Sequence, residues 1–417
     1  ELSFKRRTGA VATTEDTPAE AALRAEVRAW MAVHAAPYGP ADRHLRMVDT
    51  PERADAARRW QRTLDGGGWA VPTWPEAAGG RGLTANQARI VAEEETRYAV
   101  PSGNFHVATL MVGPTLMAHG THEQQERFLP AIRRGEHLWC QLFSEPDAGS
   151  DLASLRTRAL PDGDGWVVTG QKVWTSGARG ADWAILLART EPGSIRHHGI
   201  TYFLCDMRLP GVEVRPLVQI NRAAHFNEVH LDGVRIPADC VLGTVGEGWA
   251  VARTTLGAER MMIGSMNVAD HVDDVVAASL RTGRGADPAL RQALTALWVE
   301  GAVLRMLGDR VAAAVRRGGP VGPEASAVKL GLSRFMGRLG DTAMLALGAE
   351  GLLEGGDPSS RTDDSYGPLQ DKFLGQWASR IGGGTEQIQR NLIAERALGL
   401  PRDPRPTAGS TPRPTGS

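Results

Sequence analysis

The spacing of apolar residues changes twice along this chain of 417 residues, and that double switch restricts the fold more than any other feature. From Pro18 to about Gly135 the period is helical. In Glu20–His34, Leu23, Val27, Trp30 and Met31 recur at three- and four-residue spacing on one face. Glu52–Leu64, Thr84–Tyr98 and His106–His119 read the same way, and Thr121–Leu129 follows as a short helix with Thr121 as N-cap and Gln124 completing a capping box. Glycines and prolines between Gly66 and Pro75 interrupt the helical run.

From Trp139 to Val241 the texture is that of strands. Trp166–Thr169, Trp183–Ala188, Ile200–Cys205, Val212–Val214 and Glu228–Leu231 are short runs of β-branched and aromatic residues, separated by turn signals such as Asp162-Gly163-Asp164-Gly165. An antiparallel β-domain is expected there. The helical period returns after Gly246, over Ala250–Asp273, Pro288–Arg316, Glu324–Ala349, Lys372–Ser379 and Glu386–Leu398. The fold class is therefore α+β in three consecutive blocks, without the βαβ alternation of a nucleotide-binding sheet. No GxGxxG follows a strand and no P-loop is present, which disfavours nicotinamide and P-loop chemistry. The expected divisions are a flexible segment 1–17, an N-terminal helical domain 18–138, the β-domain 139–241, a helical bundle 242–400 and a Pro/Thr/Gly/Ser-rich disordered tail 401–417.

Composition narrows the function classes. Lys+Arg is 47 against Asp+Glu 48, so there is no electrostatic case for nucleic acid or an anionic membrane. Lysine is scarce: only Lys5, Lys172, Lys329 and Lys372 stand among many arginines. Cys140, Cys205 and Cys240 are far apart, which predicts neither a disulfide framework nor a cysteine zinc site and suits a reducing, cytoplasmic location. No apolar run approaches the roughly 20 residues of a membrane helix. The charged start, Glu1 to Arg7, does not read as a signal peptide. No metal is expected.

Four segments carry candidate chemistry. Cys140–Asp151 opens the β-block with hydroxyls and flexible backbone suited to a polar ligand, or is an ordinary loop. Gly170–Gly177 places Trp174 beside Thr175 and Ser176, able to stack on a flat cofactor and bond its edge, or simply to fill a core. Leu256–Ile263 holds Glu259 in a largely apolar helix, where a carboxylate is costly unless paired or functionally poised. Arg380–Asn391 runs three glycines into a helix with Thr385 as N-cap, letting a ligand approach backbone N–H groups, or forming a plain hinge.

In their order these segments resemble the acyl-CoA dehydrogenase family of flavoenzymes, particularly its actinobacterial members. The resemblance runs from about Ala22 to Pro401. Besides the four segments it includes Gly68-Trp69, Trp74-Pro75, Gly79-Gly80-Arg81-Gly82, Phe226-Asn227-Glu228-Val229, Val234-Arg235-Ile236-Pro237 and Gly246-Glu247-Gly248-Trp249. It implies an N-terminal helical domain, a middle β-domain and a C-terminal four-helix bundle. It implies FAD as cofactor, a homotetramer built as a dimer of dimers, and electron-transfer flavoprotein as acceptor. The implied reaction is α,β-dehydrogenation of an acyl-CoA thioester to the trans-2-enoyl-CoA, with hydride passing to flavin N5.

Many members carry the α-proton base just before the Gly-Thr of the last motif, where this chain has Gly383. The isovaleryl- and long-chain-type enzymes place it on the helix after the β-domain, one residue before an arginine; here that is Glu259, followed by Arg260, which is expected to face substrate. Glu259 is thus the expected base and Glu386 its local rival, while the backbone N–H of Gly383 would still bind the thioester oxygen. By the same resemblance Gln141, Leu142, Phe143 and Ser144 line the flavin, Trp174 and Ser176 cover its ring and edge, and Thr385 and Gln387 touch it near the last helix. Ser150 faces the thioester arm, and Arg281 meets the pyrophosphate. Arg284 and Leu345 depart from the family pattern on the adenosine side. Three other readings on this fold remain: a dehydrogenase acting on an acyl carrier protein, a flavin monooxygenase, or a non-catalytic subunit of a heteromer.

Overall fold

The computed structural model describes residues 16–39, 51–101, 105–264, 269–316, 322, 324–353 and 368–402; for some helical residues, Arg260 among them, it describes the backbone alone. Nearly all of segment 1–17 and of tail 401–417 lies outside the described residues. Helices α1 (Pro18–His34), α2 (Pro51–Gly66), α3 (Ala85–Glu95), α4 (Gly113–His119) and α5 (His122–Arg133) form the N-terminal block. Three begin at reciprocal capping boxes, Thr17 with Glu20, Thr84 with Gln87 and Thr121 with Gln124, so local chemistry fixes where each starts. The helix expected over His106–His119 instead opens as a π-helical stretch, Val107–Val112, before α4. Pro114 has no N–H to continue an ordinary ladder, and the Gly113 N–H reaches back to Ala108 O.

One buried charge clasps α1 to α3. Glu94 is 3% exposed and accepts from Arg28 at 2.8 and 3.0 Å, Arg97 at 2.9 Å and Arg24 at 3.3 Å. Desolvation works to raise its carboxyl, but the three guanidiniums outweigh it and hold the pKa at about 2. Because the folded value lies below the unfolded one, this stabilisation is complete above about pH 4.5 and is lost as pH falls toward about 2. Glu94→Gln is expected to destabilise the chain at pH 7 by about 1–3 kcal/mol. Melting curves across pH check it: the gap between variant and wild type narrows below about pH 4.5, and a gap that stayed constant would contradict the assignment.

The middle block is one seven-stranded sheet. Its strands are β1 (Trp139–Leu142), β2 (Arg158–Asp162), β3 (Gly165–Ser176), β4 (Trp183–Arg189), β5 (Ile200–Asp206), β6 (Val212–Leu217) and β7 (Phe226–Pro237). They pair in the order β1-β4-β2-β3-β7-β6, with β5 also on β4. The sheet is not purely antiparallel: β1 runs parallel to β4, and β2 touches β4 in parallel at Arg158. Strands β4 and β5 are buried except at their last residues, which is why both read as unbroken apolar runs.

The C-terminal block contains α6 (Gly248–Gly264), α7 (Ala269–Arg281), α8 (Pro288–Arg316), α9 (Glu324–Leu347), α10 (Pro368–Ile381) and α11 (Glu386–Leu392), the last running into a π turn over Ile393–Ala397. The single helix expected over Ala250–Asp273 is thus two, with 265–268 outside the described residues. Among the described residues no helix is long and apolar enough to cross a membrane.

Helix α6 joins the blocks. Val251, Ala252 and Leu256 pack into the core shared by the sheet and the N-terminal helices, while α6 also lies against α9 of the bundle. Gly248 permits this: a Cβ there would sit 2.4 Å from the Tyr202 backbone N of β5.

Candidate active site

Three structural units bring the sequence candidates into place. The first is the loop after β1, which is nailed down from beneath by Lys172. This lysine is fully buried on β3 and donates from Nζ to Glu145 Oε1 at 2.7 Å and to Phe143 O at 3.0 Å. Glu145 also accepts from the backbone N–H groups of Arg156 at 2.6 Å and Thr157 at 2.9 Å, so one carboxylate closes both ends of the loop. Desolvation works to raise the Glu145 carboxyl; the Lys172 charge and these donors outweigh it and hold it below the ordinary range. Burial pushes Lys172 down to about 8 against the pull of Glu145. Leu142 and Phe143 point into the core, the Phe143 ring edge-on to Tyr202. They can meet a ligand through backbone only, whereas Gln141 and Ser144 are half-buried and Ser150 is exposed.

The second unit is a bulge in β3. The register with β7 shifts between Lys172 and Thr175, and Trp174 sits in the shift at φ +62°. A left-handed bulky residue costs about 1–2 kcal/mol, and here it turns the indole outward, 61% exposed, edge-on to Phe226. The Val173 N–H donates to Ser144 O at 2.9 Å, tying the bulge to the first loop. At the next ladder pair, Thr175 with Asn227, Thr175 Oγ1 and Asn227 Oδ1 are buried with no partner among the described residues, and Ser176 is half-buried after them. An exposed aromatic residue next in the strand to unsatisfied polar atoms fits a flat, polar-edged ring such as a flavin.

The third unit is the turn between α10 and α11. Gly383 and Gly384 take φ +63° and +87°, and Gln389 donates from Nε2 to both of their carbonyls at 3.3 Å. A Cβ on Gly384 would lie 2.6 Å from that amide nitrogen. Thr385 caps α11 as the sequence predicts, accepting from Ile388 N. Glu386 is buried and held by Arg380 at 2.8 Å and Arg390 at 3.4 Å, a fixed structural ion pair. Gln387 is exposed, and the Gln389 Oε1 is buried without a partner among the described residues.

Glu259 lies half-buried on α6, one turn beyond Thr255. Thr255 is fully buried at a junction of three blocks: its hydroxyl meets Tyr202 Oη of β5 and Thr115 Oγ1 of α4, each at 3.0 Å. His119 of α4 bonds Thr254 at 2.8 Å. The helix carrying Glu259 is therefore fixed to both neighbours immediately before the carboxylate. Across the bundle, Lys329 of α9 is buried and donates from Nζ to Ser379 O at 2.6 Å and Ser333 Oγ at 3.0 Å; burial pushes its ammonium below the ordinary lysine range.

The remaining candidates are more scattered. Arg281, at the end of α7, pairs with Glu350 at 3.5 Å, and Leu345 is exposed. Arg284 packs where a Cβ on Gly348 would meet it. The side chain of Arg260 lies outside the described residues. Among the described residues, no hydrogen bond joins the Trp174 bulge to the Gly383 turn. The Lys172–Glu145 clasp, the Thr255 junction and Lys329 were not singled out from sequence, although two of only four lysines turn out to be buried at this site. In so arginine-rich a chain that scarcity was the available signal.

Comparison with known proteins agrees with this arrangement. The acyl-CoA dehydrogenase N-terminal, middle and C-terminal domains match residues 17–136, 140–234 and 246–398 in turn. The acyl-CoA dehydrogenase IpdE1 of Mycobacterium tuberculosis is 41% identical over 91% of this chain and 98% of its own length. Among solved structures, one described as the Tcur3481-Tcur3483 steroid ACAD superposes with a TM-score of 0.76 at 28% identity, covering 93% of this chain and 98% of that one. The ChsE4-ChsE5 complex from Mycobacterium tuberculosis superposes with a TM-score of 0.75 at 27% identity, over 93% and 98% of the two chains.

Proposed function

The chain belongs to the acyl-CoA dehydrogenase family, and from that membership we propose that it desaturates a bulky acyl-CoA thioester between Cα and Cβ with Glu259 as the base. The observation that carries the assignment is that the last motif's own carboxylate is already engaged, which turns attention to the one on the helix after the sheet. Glu386 is buried and held by two arginines, whereas Glu259 stands half-buried on a helix pinned one turn earlier. Residue 383, where a base would otherwise stand, has no side chain.

Each group then has a task. The Glu259 carboxylate takes the proton from Cα. The Gly383 N–H donates to the thioester oxygen as negative charge develops there, and it needs no side chain to do so. FAD, the family's cofactor, supplies the acceptor for the electrons that leave with the β-hydrogen. Trp174, Ser176, Gln141, Ser144 and Thr385 hold it, with the backbone of Leu142 and Phe143 and, further out, Gln387 and Arg281. Ser150 is the proposed substrate-side residue, and the family resemblance adds Arg260.

The bulky acyl group rests on two supports. Residue 383 carries no side chain to fill the region beside the substrate's Cα, and a structural neighbour is described as a steroid acyl-CoA dehydrogenase. Electron-transfer flavoprotein is the acceptor proposed for turnover. We also infer an assembly of several chains: Trp298, Val299, Val303 and Met306 are roughly half-exposed along α8, more apolar surface than a lone helix leaves open. A related structure is a complex of two named chains, so a paired partner is as consistent with this face as a homotetramer.

Anaerobic titration of the FAD-loaded chain with short, branched, long and steroid-type acyl-CoAs tests the reading. Flavin bleaching is expected, strongest with the bulky members. No bleaching by any of them from the chain purified alone, with activity restored only by a second chain, would favour a non-catalytic subunit. Rapid reoxidation by air with hydroxylated product would favour a monooxygenase, and bleaching only by acyl carrier protein thioesters would move the substrate to that carrier.

A further inference from the structure

Gln389 lies one turn into α11, 1% exposed, and reaches back to the turn that precedes its own helix. Its Nε2 donates to Gly383 O and to Gly384 O, each at 3.3 Å. Its Oε1 is buried with no partner among the described residues. A bare buried acceptor costs stability, and a methionine of similar size would fill the space without that cost. Packing alone therefore does not account for the amide. What the amide does is hold the carbonyls of two consecutive glycines.

Two glycines in a row rotate freely in an open chain, and here both take left-handed angles, φ +63° at Gly383 and +87° at Gly384. The chain is anchored on either side of them. Upstream, the Gly382 N–H donates to Ala378 O at 2.8 Å and closes α10. Downstream, Thr385 Oγ1 accepts from Ile388 N at 3.2 Å and starts α11. Between these ends the Gln389 amide takes the two carbonyls, and the fit is close: a Cβ on Gly384 would stand 2.6 Å from Nε2. The peptide that carries the Gly383 N–H thus has a fixed group before it and another after it. Among the described residues no backbone carbonyl accepts from that N–H, which leaves it for a ligand.

We propose that Gln389 is a positioning residue for removal of the α-proton: by holding the carbonyls of Gly383 and Gly384 it keeps the Gly383 N–H directed at the thioester oxygen while negative charge gathers there. It acts through the turn and not on the substrate itself. The proposal rests on the Gly383 N–H being the carbonyl donor, and it is independent of which carboxylate is the base.

The test compares FAD-loaded wild type, Gln389→Met and Gly384→Ala. The first variant keeps the bulk of the side chain and removes its donors; the second pushes the amide off the turn while leaving it on α11. Flavin content and melting are measured first. The probe is a 2-enoyl-CoA of the acyl class that bleaches wild type best, isotope-labelled at the thioester carbonyl. Its infrared carbonyl stretch reports how strongly the oxygen is hydrogen-bonded, and binding to wild type should lower the frequency relative to the free thioester. Both variants should lose about half or more of that lowering. Their limiting rate of flavin bleaching should fall about 10- to 100-fold, while the half-saturating acyl-CoA concentration changes less than about threefold. If one variant loses its flavin, the other decides. A purely structural role would lower melting temperature and leave the stretch of the bound thioester where wild type puts it, and that result overturns the proposal. Loss of flavin from both variants would assign the amide to folding and overturn it equally. If wild type binds the probe and itself shows no lowering, the Gly383 donor reading fails first.

Discussion

Glu259→Gln slows reduction of the flavin by a good acyl-CoA substrate by at least about 10²–10⁴-fold, the usual contribution of a positioned base. The amide keeps the size and polarity of the side chain, so α6, its Thr255 junction and FAD content should be unchanged. Glu386→Gln is the control. It removes a charge bound by Arg380 and Arg390 at the start of α11 and should lower stability much more than rate. Stopped-flow absorbance after anaerobic mixing measures both. A Glu259→Gln chain that bleaches as fast as wild type, or a Glu386→Gln chain that alone stops bleaching while retaining FAD, transfers the role to the turn and removes the reason for Gly383 being bare. Residual reaction in Glu259→Gln is expected, because the Gly383 N–H still stabilises the thioester oxygen when a base is lacking.

The parts of this site visible in the sequence are those encoded over a few consecutive residues. Thr121 with Gln124 and Thr385 before Glu386 announce helix starts through their own side chains, and the structure places both caps there. The apolar runs of β4 and β5 are legible because both faces are buried. By contrast, β2 carries Arg158, Pro161 and Asp162 and has little strand propensity of its own; pairing with β3 along its whole length makes it a strand. Strands β3 and β7 run well past the segments expected, across Gly170 and Gly233, for the same non-local reason. The parallel β1–β4 pair depends on a distant crossing that no short window contains. Long-range electrostatics were the least legible: nothing local to Lys172 names Glu145, and nothing near Lys329 names Ser379. The outward turn of Trp174 needs a backbone angle, although its neighbours Thr175 and Ser176 already suggested an aromatic beside polar groups.

Lys172→Met is expected to destabilise the FAD-loaded chain by about 3–5 kcal/mol and to lower its FAD content, an effect on binding larger than that of any single residue touching the ring. The reasoning runs through Glu145. With the ammonium gone, its carboxylate remains buried against the Arg156 and Thr157 N–H groups without its ion-pair partner, with only the Arg189 guanidinium acting on it without a direct bond, and the Phe143 carbonyl loses its donor. The loop that carries Ser144 and Ser150 is then free to lift away from β3, and the Val173–Ser144 bond that steadies the Trp174 bulge goes with it. Glu145→Gln should be nearly as damaging, since it leaves a fully buried ammonium facing neutral oxygens. The double variant Lys172→Met/Glu145→Gln removes both charges and should cost clearly less than the sum of the singles, the signature of direct coupling in a double-mutant cycle. The exposed Arg208–Asp206 pair on the same domain supplies the reference: its disruption should change stability by less than about 1 kcal/mol. Denaturant melts together with flavin absorbance per chain decide the matter. Single variants that melt like wild type and keep their FAD would mean that the loop is held by its own turns, and that the buried lysine is a passenger in the sheet.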